Sequence, residues 1–274
     1  MKVSVIISFY NKIEVLKLLL AGFERQSFTN FEVLIADDGS KDEVVKEINE
    51  ISSSYSFDLK HIWHADNGWQ KNIILNKAIS ASLGEYIVFV DGDCIPHQHF
   101  IKDHFNNREN RVLLTGRRVK LSDKLSKNLT ESDISEGKLD RRWFSPLVFD
   151  FIFGKTKHIE KGFRLWGVVP QVKKRTNPKR EVLGCNFSIH KADIVRINGF
   201  DERYKGPGIG EDIDIDLRFT NDGGEVRLFK FGAIQYHVYH LVLSRYDKKN
   251  NIKIFQENKK SQVAATAYGL KNLS

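Results

Sequence analysis

The chain has 274 residues, 41% hydrophobic and 28% charged, the balance of a globular protein with room for a proper core. No run approaches the ~20 apolar residues of a membrane-crossing helix. The short apolar start reads as a strand, not a signal peptide, and Cys94 and Cys185 are too few for a disulfide framework. A cytoplasmic protein with reduced thiols is expected, either free or peripheral on the inner face of the cytoplasmic membrane. The formal charge of +8 is local: residues 141–180 hold eleven Lys/Arg against Asp150 and Glu160, leaving 32 basic against 33 acidic residues elsewhere.

In chain order, residues 3–8 read as a buried strand and 14–26 as a helix with Val15, Leu18, Leu19 and Phe23 at helical spacing. A second strand over 31–36 ends in the turn-former Asp37-Asp38-Gly39-Ser40, and Ser40 or Asp42 is placed to cap a helix starting near Glu43. A strand over 59–64, a helix over 70–82 and a strand over 86–90 follow. This alternation predicts an α/β fold with a parallel sheet and helices on both faces. In such sheets ligands bind beyond the carboxyl ends of the strands. The polar clusters 8–11, 37–40, 66–68 and 91–93 all fall there. Farther on, 112–119 reads as one strand, 122–141 as polar and helical or mobile, and 145–180 as an unassigned mixture of aromatic and basic residues. Strands over 181–190, 225–229 and 233–240 and a helix over 191–197 complete the pattern, with a glycine-rich loop at 206–210 before an acidic helix. With no repeat or linker, one domain is expected.

Three constellations carry chemistry. Asp91-Gly92-Asp93 at a strand end can hold a divalent ion and a ribose hydroxyl together; the plainer alternative is an Asp-Gly turn. His237 and His240, three apart near another strand end, could complete a metal shell with Asp93. Mixed carboxylate and imidazole ligands favour Mn²⁺ over Mg²⁺, with three-ligand zinc as the competitor. Glu211, Asp212 and Asp214 either complement a helix dipole or supply a general base beside a glycine-rich loop.

In order, Ser8-Phe9-Tyr10-Asn11, Asp37-Asp38-Gly39-Ser40, Asp66-Asn67-Gly68 and Asp91-Gly92-Asp93 resemble the nucleotide-binding half of family-2 inverting glycosyltransferases. Leu183–Ile189, Asn198–Glu202 and Gly210-Glu211-Asp212 resemble the carboxyl half of β-1,4-galactosyltransferases, chondroitin polymerases and polypeptide N-acetylgalactosaminyltransferases. His240 and residues 245–250 are similar to the galactosyltransferase metal segment. The resemblance covers roughly 1–118 and 181–250. It implies a single GT-A-type domain over 1–274: a nucleotide-binding half (1–118), a basic aromatic insert (119–180), an acceptor and catalytic half (181–250) and a basic tail (251–274).

It also implies roles. Ser8, Tyr10, Asp38 and Asp66 would hold the uracil and ribose of a UDP-sugar, supported by Asp37. Lys71 would meet the diphosphate and Asp91 the ribose or sugar. Asp93 and His240 would bind Mn²⁺ or Mg²⁺, and His237 falls where the galactosyltransferases often use Met. Asp212 matches the catalytic base, Glu211 would contact sugar hydroxyls, and Gly184 and Asn186 would line the sugar pocket. Gly208 stands where the galactosyltransferases place a tryptophan, so sugar and acceptor choice do not transfer.

The expected reaction is inverting, metal-dependent transfer to a glycan or glycolipid acceptor, in bacterial surface polysaccharide or lipopolysaccharide synthesis. A nucleotidyltransferase would need a phosphate loop that 8–12 lacks. A non-catalytic sugar- or membrane-binding module would not need both acidic motifs. The insert, with Phe144, Leu147, Val148, Phe149, Phe151, Ile152, Phe153, Phe163, Leu165 and Trp166 among its cations, reads either as core plus a solvated basic face or as a dock for anionic lipid or a phosphorylated glycolipid. No nucleic-acid-binding module accompanies the charge, so nucleic acid is not an expected partner.

Overall fold

Along the first strand, β1 (Val3–Phe9), every residue but Ser8 is buried, so both faces are covered and the strand reads as a nearly unbroken apolar run. Val3, Val5, Ile7 and Phe9 enter one core cluster and Ile6 another on the opposite face. In this computed structural model the described residues are 1–140, 146–153, 156–162, 164, 171–176, 182–206, 210–241 and 248–273.

The first half alternates: α1 (Ile13–Glu24), β2 (Phe31–Asp37), α2 (Asp42–Ile51), β3 (Asp58–Trp63), α3 (Lys71–Ala81) and β4 (Tyr86–Asp91). Next come β5 (Cys94–Pro96), α4 (Phe100–Asn106), β6 (Val112–Thr115), β7 (Arg117–Lys120), α5 (Asp123–Asn128), α6 (Glu131–Ser135) and α7 (Pro146–Phe153). The remainder is β8 (Gln171–Lys174), β9 (Asn186–His190), α8 (Lys191–Arg196), α9 (Glu211–Asn221), β10 (Glu225–Lys230), β11 (Ile234–His237) and α10 (Lys248–Lys260).

Eight strands form one sheet in the order β3-β2-β1-β4-β9-β6-β10-β8, and three form a second, β5-β11-β7. The large sheet is mostly parallel; β9 and β8 run against their neighbours. Residues of α1, α2 and α4 pack on one face, those of α3, α8 and α9 on the other. Each strand of the small sheet continues a strand of the large one: β4 leads into β5, β6 into β7 and β10 into β11. A third apolar cluster, with Ile95, Val119, Ile234 and Tyr236, lies against the small sheet.

Several expectations are corrected. Residues 112–119 are two strands in two sheets, parted at Gly116, where an added Cβ would lie 2.1 Å from Oδ1 of Asn186. Neither Ser40 nor Asp42 caps α2, whose N-cap is Lys41; the Ser40 hydroxyl is spent on Asp37 instead. Part of the expected insert, β8, is an edge strand of the large sheet. The 251–274 tail is packed: Asn251, Ile254, Asn258 and Thr266 are buried. Within the insert, Leu147 is buried while Phe149, Phe151 and Ile152 are exposed, and Arg164 and Arg175 pair with Asp103 and Asp216. Phe144, Phe163, Leu165 and Trp166 lie outside the described residues, as do the side chain of Phe153 and residues 207–209 of the glycine-rich loop.

Candidate functional site

The parallel strands bring the acidic clusters to one edge. At the end of β2, Asp37 is fully buried; one carboxylate oxygen accepts from the amide and hydroxyl of Ser40 at 2.9 and 2.6 Å, the other contacts Nε2 of His61 at 2.8 Å. Its oxygens are thus spent on holding the turn. Gly39 adopts φ +90°, and a Cβ there would lie 2.5 Å from Cα of Asp66, so the turn and the segment that follows β3 approach as only glycine permits. Asp38 accepts from the Gln70 amide at 3.0 Å and meets His64 at 2.9 Å; burial pushes its carboxyl up against the pull of His64. Tyr10, half exposed, donates its hydroxyl to Asp66 at 3.1 Å, and that bond raises its phenol. These groups leave an exposed aromatic ring beside two carboxylates, a surface suited to a base and a ribose.

Beside them, Asp91 accepts from the Ser8 hydroxyl at 2.8 Å and the Lys71 ammonium at 2.9 Å. Ser8, Lys71, Asp91 and Gly184 line a pocket floored by Phe89, Phe187 and Phe200, with Phe89 stacked on Phe187 at 4.5 Å. The register of β1 on β4 sets Ser8 opposite Asp91.

Two residues on, Asp93 meets the end of β11. Its Oδ2 lies 3.0 Å from Nε2 of His240 and 3.6 Å from Nε2 of His237, and its carbonyl accepts from Val238 at 2.9 Å. Burial works to raise the Asp93 carboxyl, but the His240 hydrogen bond and the charges of both histidines outweigh it and hold it well below the usual range. The same bond raises His240, while burial lowers His237. Nδ1 of His240 contacts the Leu241 carbonyl at 2.8 Å and must donate there, so a neutral ring turns its lone pair, on Nε2, toward Asp93. Two imidazoles thus stand within 3.6 Å of one carboxylate, but the donor atoms that lie mutually close enough to share an ion are those of Asp93, Cys94 and His237, and His240 joins them through Asp93. Cys94, clustered with Asp93 and His237, is fully buried; burial raises its thiol, which donates to Asp93 at 3.3 Å.

Asp212 stands in the first turn of α9. One oxygen accepts from the Gly184 amide at 3.1 Å, and a Cβ on Gly184 would come within 3.2 Å of the same side chain. The missing side chain at Gly184 thus lets the carboxylate approach the pocket wall. The backbone of Glu211 is in α9, and its side chain lies outside the described residues. Asn186 does not reach the pocket as expected. It is fully buried, its amide donates to the carbonyls of Arg117 and Ala233, and its oxygen faces His104. It fastens β9 to both sheets.

Sequence reasoning gave no role to His61, His64, Asn11 or Cys185, although Asn11 and Cys185 lie inside the motifs quoted above. Asn11 takes φ 57° and spans to Ser40 and Lys41; an asparagine just after a strand was the available signal. His61 is located by β2–β3 register, which no local pattern encodes, and His64 follows just beyond the end of β3.

A model of glycosyl transferase family 2 matches residues 4–163, and one described as the N-terminal domain of galactosyltransferase matches 166–241. The chondroitin synthase of Escherichia coli is 24% identical over 240 residues, covering 85% of this chain; the chain spans only 34% of that relative's length. The amylovoran biosynthesis glycosyltransferase AmsB of Erwinia amylovora is 26% identical over 260 residues, covering 87% of this chain and 69% of its own. Among solved structures, the 1–349 fragment of Staphylococcus aureus TarS with UDP-GlcNAc aligns at TM-score 0.64 and 15% identity, over 99% of this chain and 69% of that one. A mannosyltransferase from Pyrobaculum calidifontis, with GDP-Man and Mn²⁺, aligns at TM-score 0.54 and 14% identity, over 95% and 62%. At such identities these structures speak for the fold: a GT-A type α/β domain.

Proposed function

Because the chain belongs to glycosyl transferase family 2, we propose that it moves a sugar from a UDP-sugar to a hydroxyl of a glycan or glycolipid, with inversion and with a divalent ion. The carrying observation is convergence: the Ser8–Lys71–Asp91 pocket, the Asp93–His237–His240 cluster and Asp212 meet around Gly184 and the end of β4. TarS, a fold neighbour with UDP-GlcNAc bound, supports a UDP donor.

Tyr10, Asp38 and Asp66 receive the base and ribose, with Asp37 and His61 holding the turn beneath them. Ser8 and Lys71 fix Asp91 against the ribose or sugar, and Lys71 adds positive charge where a diphosphate would lie. Asp93, His237 and His240 would hold the ion, Mn²⁺ in preference to Mg²⁺, which when bound supplies Lewis-acid stabilisation of the departing diphosphate. Asp212 takes the proton of the acceptor hydroxyl as its oxygen bonds to the anomeric carbon, and the electron pair of the broken carbon–oxygen bond leaves with UDP. Glu211 and Gly184 border the sugar.

A role in bacterial surface polysaccharide synthesis, lipopolysaccharide included, is supported by the amylovoran and chondroitin relatives. Peripheral docking on anionic lipid is supported by Phe149, Phe151 and Ile152, exposed together on α7.

The test is hydrolysis and binding of a panel of sugar nucleotides, GDP-mannose included, with Mn²⁺, Mg²⁺, Zn²⁺ or EDTA. Slow, metal-dependent release of UDP from one donor is expected, and Asp212→Asn abolishes transfer while UDP still binds. Absence of binding for every nucleotide sugar with every metal sinks the reading.

A further inference from the structure

The residue after Asp93 is a cysteine, and the small sheet sets it beside a histidine. In the antiparallel pair of β5 and β11, Cys94 stands directly opposite His237, so the two side chains share one face. Ile95, Val119, Ile234 and Tyr236 enter the third core cluster instead. Sγ of Cys94 lies 3.3 Å from Oδ1 of Asp93, and Nε2 of His237 lies 3.6 Å from Oδ2. The donor atoms of the three residues all fall within 4.8 Å of one another. Two donors on a tetrahedral ion, with bonds of about 2.0–2.3 Å, are separated by roughly 3.3–3.7 Å. The oxygen–sulfur and oxygen–nitrogen separations already have that spacing.

Cys94 is fully buried, whereas Asp93 and His237 each keep 18% of their side-chain surface exposed. An ion arriving past the carboxylate and the imidazole therefore meets the sulfur behind them. Charge favours its taking part. Arg118 shares this face of the sheet, so an ion with only half of its charge matched would be repelled there. When sulfur bonds the ion, the S–H bond breaks and the proton leaves to solvent. One carboxylate and one thiolate then match the two positive charges of the ion.

We infer that Cys94 is an ion ligand, so that Asp93, Cys94 and His237 together select a thiophilic divalent ion, Zn²⁺ or Co²⁺, over Mn²⁺. The inference rests on the transferase reading for what the ion does there, not for whether it binds. Thiolate sulfur suits Zn²⁺, while Mn²⁺ and Mg²⁺ prefer oxygen. His240, 3.0 Å from the same carboxylate, helps to orient it.

The test titrates the whole chain, stripped with EDTA and desalted, with Co²⁺ and no nucleotide. A sulfur-to-cobalt charge-transfer band in the near ultraviolet is expected, kept in Cys185→Ser and lost in Cys94→Ser. The chain has two cysteines, Cys94 and Cys185. A band in Cys185→Ser therefore assigns the ligand even if Cys94→Ser fails to fold. Zn²⁺ affinity, read by competition with a chromophoric chelator, should fall about tenfold or more in Cys94→Ser, and Mn²⁺ affinity by about twofold at most. No band in the wild-type chain, or a band that survives Cys94→Ser, overturns the inference. A parallel fall in Zn²⁺ and Mn²⁺ affinity overturns it too, because it would leave Cys94 only a hydrogen-bond partner of Asp93. The band is read without any sugar nucleotide. A chain that shows it yet binds no nucleotide sugar would lose the transferase reading and keep the cysteine ligand.

Discussion

His104 on α4 is fully buried, with Nδ1 at 2.7 Å from the Ser188 hydroxyl and Nε2 at 3.0 Å from Oδ1 of Asn186. Burial pushes its pKa down to about 3, against a smaller upward pull from Asn186. An unfolded histidine titrates near 6.5, so between the two values the unfolded chain binds a proton that the folded chain refuses. This contribution to stability is complete above about pH 6.5 and is lost as pH falls toward 3. Going from pH 7 to 4 should cost about 3 kcal/mol through this group. Urea unfolding at both pH values should show a shallower acid loss in His104→Gln. At this scale the sequence was informative where carboxylates gather at strand and helix ends: Asp91, Asp93 and Asp212 stand in short motifs whose spacing is itself the signal. It was silent where a polar group is spent on holding another, as with His104 and Asn186, whose partners lie 82 positions apart.

Helix α9 shows what the elements add. Its first turn carries Asp212, and its position is fixed two and six residues later. Asp214 is buried and accepts from the Tyr204 hydroxyl, Arg218 and the side-chain amide of Asn258 on α10. Arg218, also fully buried, donates to the carbonyls of Ile197 and Gly199. Arg218→Met would strand the Asp214 carboxylate in the interior and should cost about 3–5 kcal/mol, measured by urea unfolding at neutral pH. The acidic helix was legible from its motif, but its anchor was not: α10 reads locally as a lysine-rich tail, and a few buried side chains decide that it packs. The same holds for β5 and β11, strands of three and four residues. Their identity as a separate sheet depends on bends imposed by neighbouring chain, whereas β1, β2 and β4 carry their burial in their own apolar runs.

Over the whole molecule, apolar and basic surface meet near α7. Phe149, Phe151 and Ile152 are 56%, 53% and 61% exposed, and Lys157 and Lys161 follow within a few residues. If this face docks on lipid, the chain should sediment with phosphatidylglycerol vesicles and not with phosphatidylcholine, and Phe149→Ser/Ile152→Ser should weaken that association by about tenfold or more, given roughly 1.5–3 kcal/mol per large apolar side chain. Undiminished sedimentation of the variant would remove α7 from the contact. The two sheets bear on the cleft in another way. Three strands turn the same corner together, β4 into β5, β6 into β7 and β10 into β11, and a bracket with three struts resists torsion that a single hinge would yield to. Asp91 and Asp93 sit at the bend of one strut, and His237 ends another. The two walls of the cleft are thus one mechanical part, and any closing over a bound donor falls to the loops at its rim.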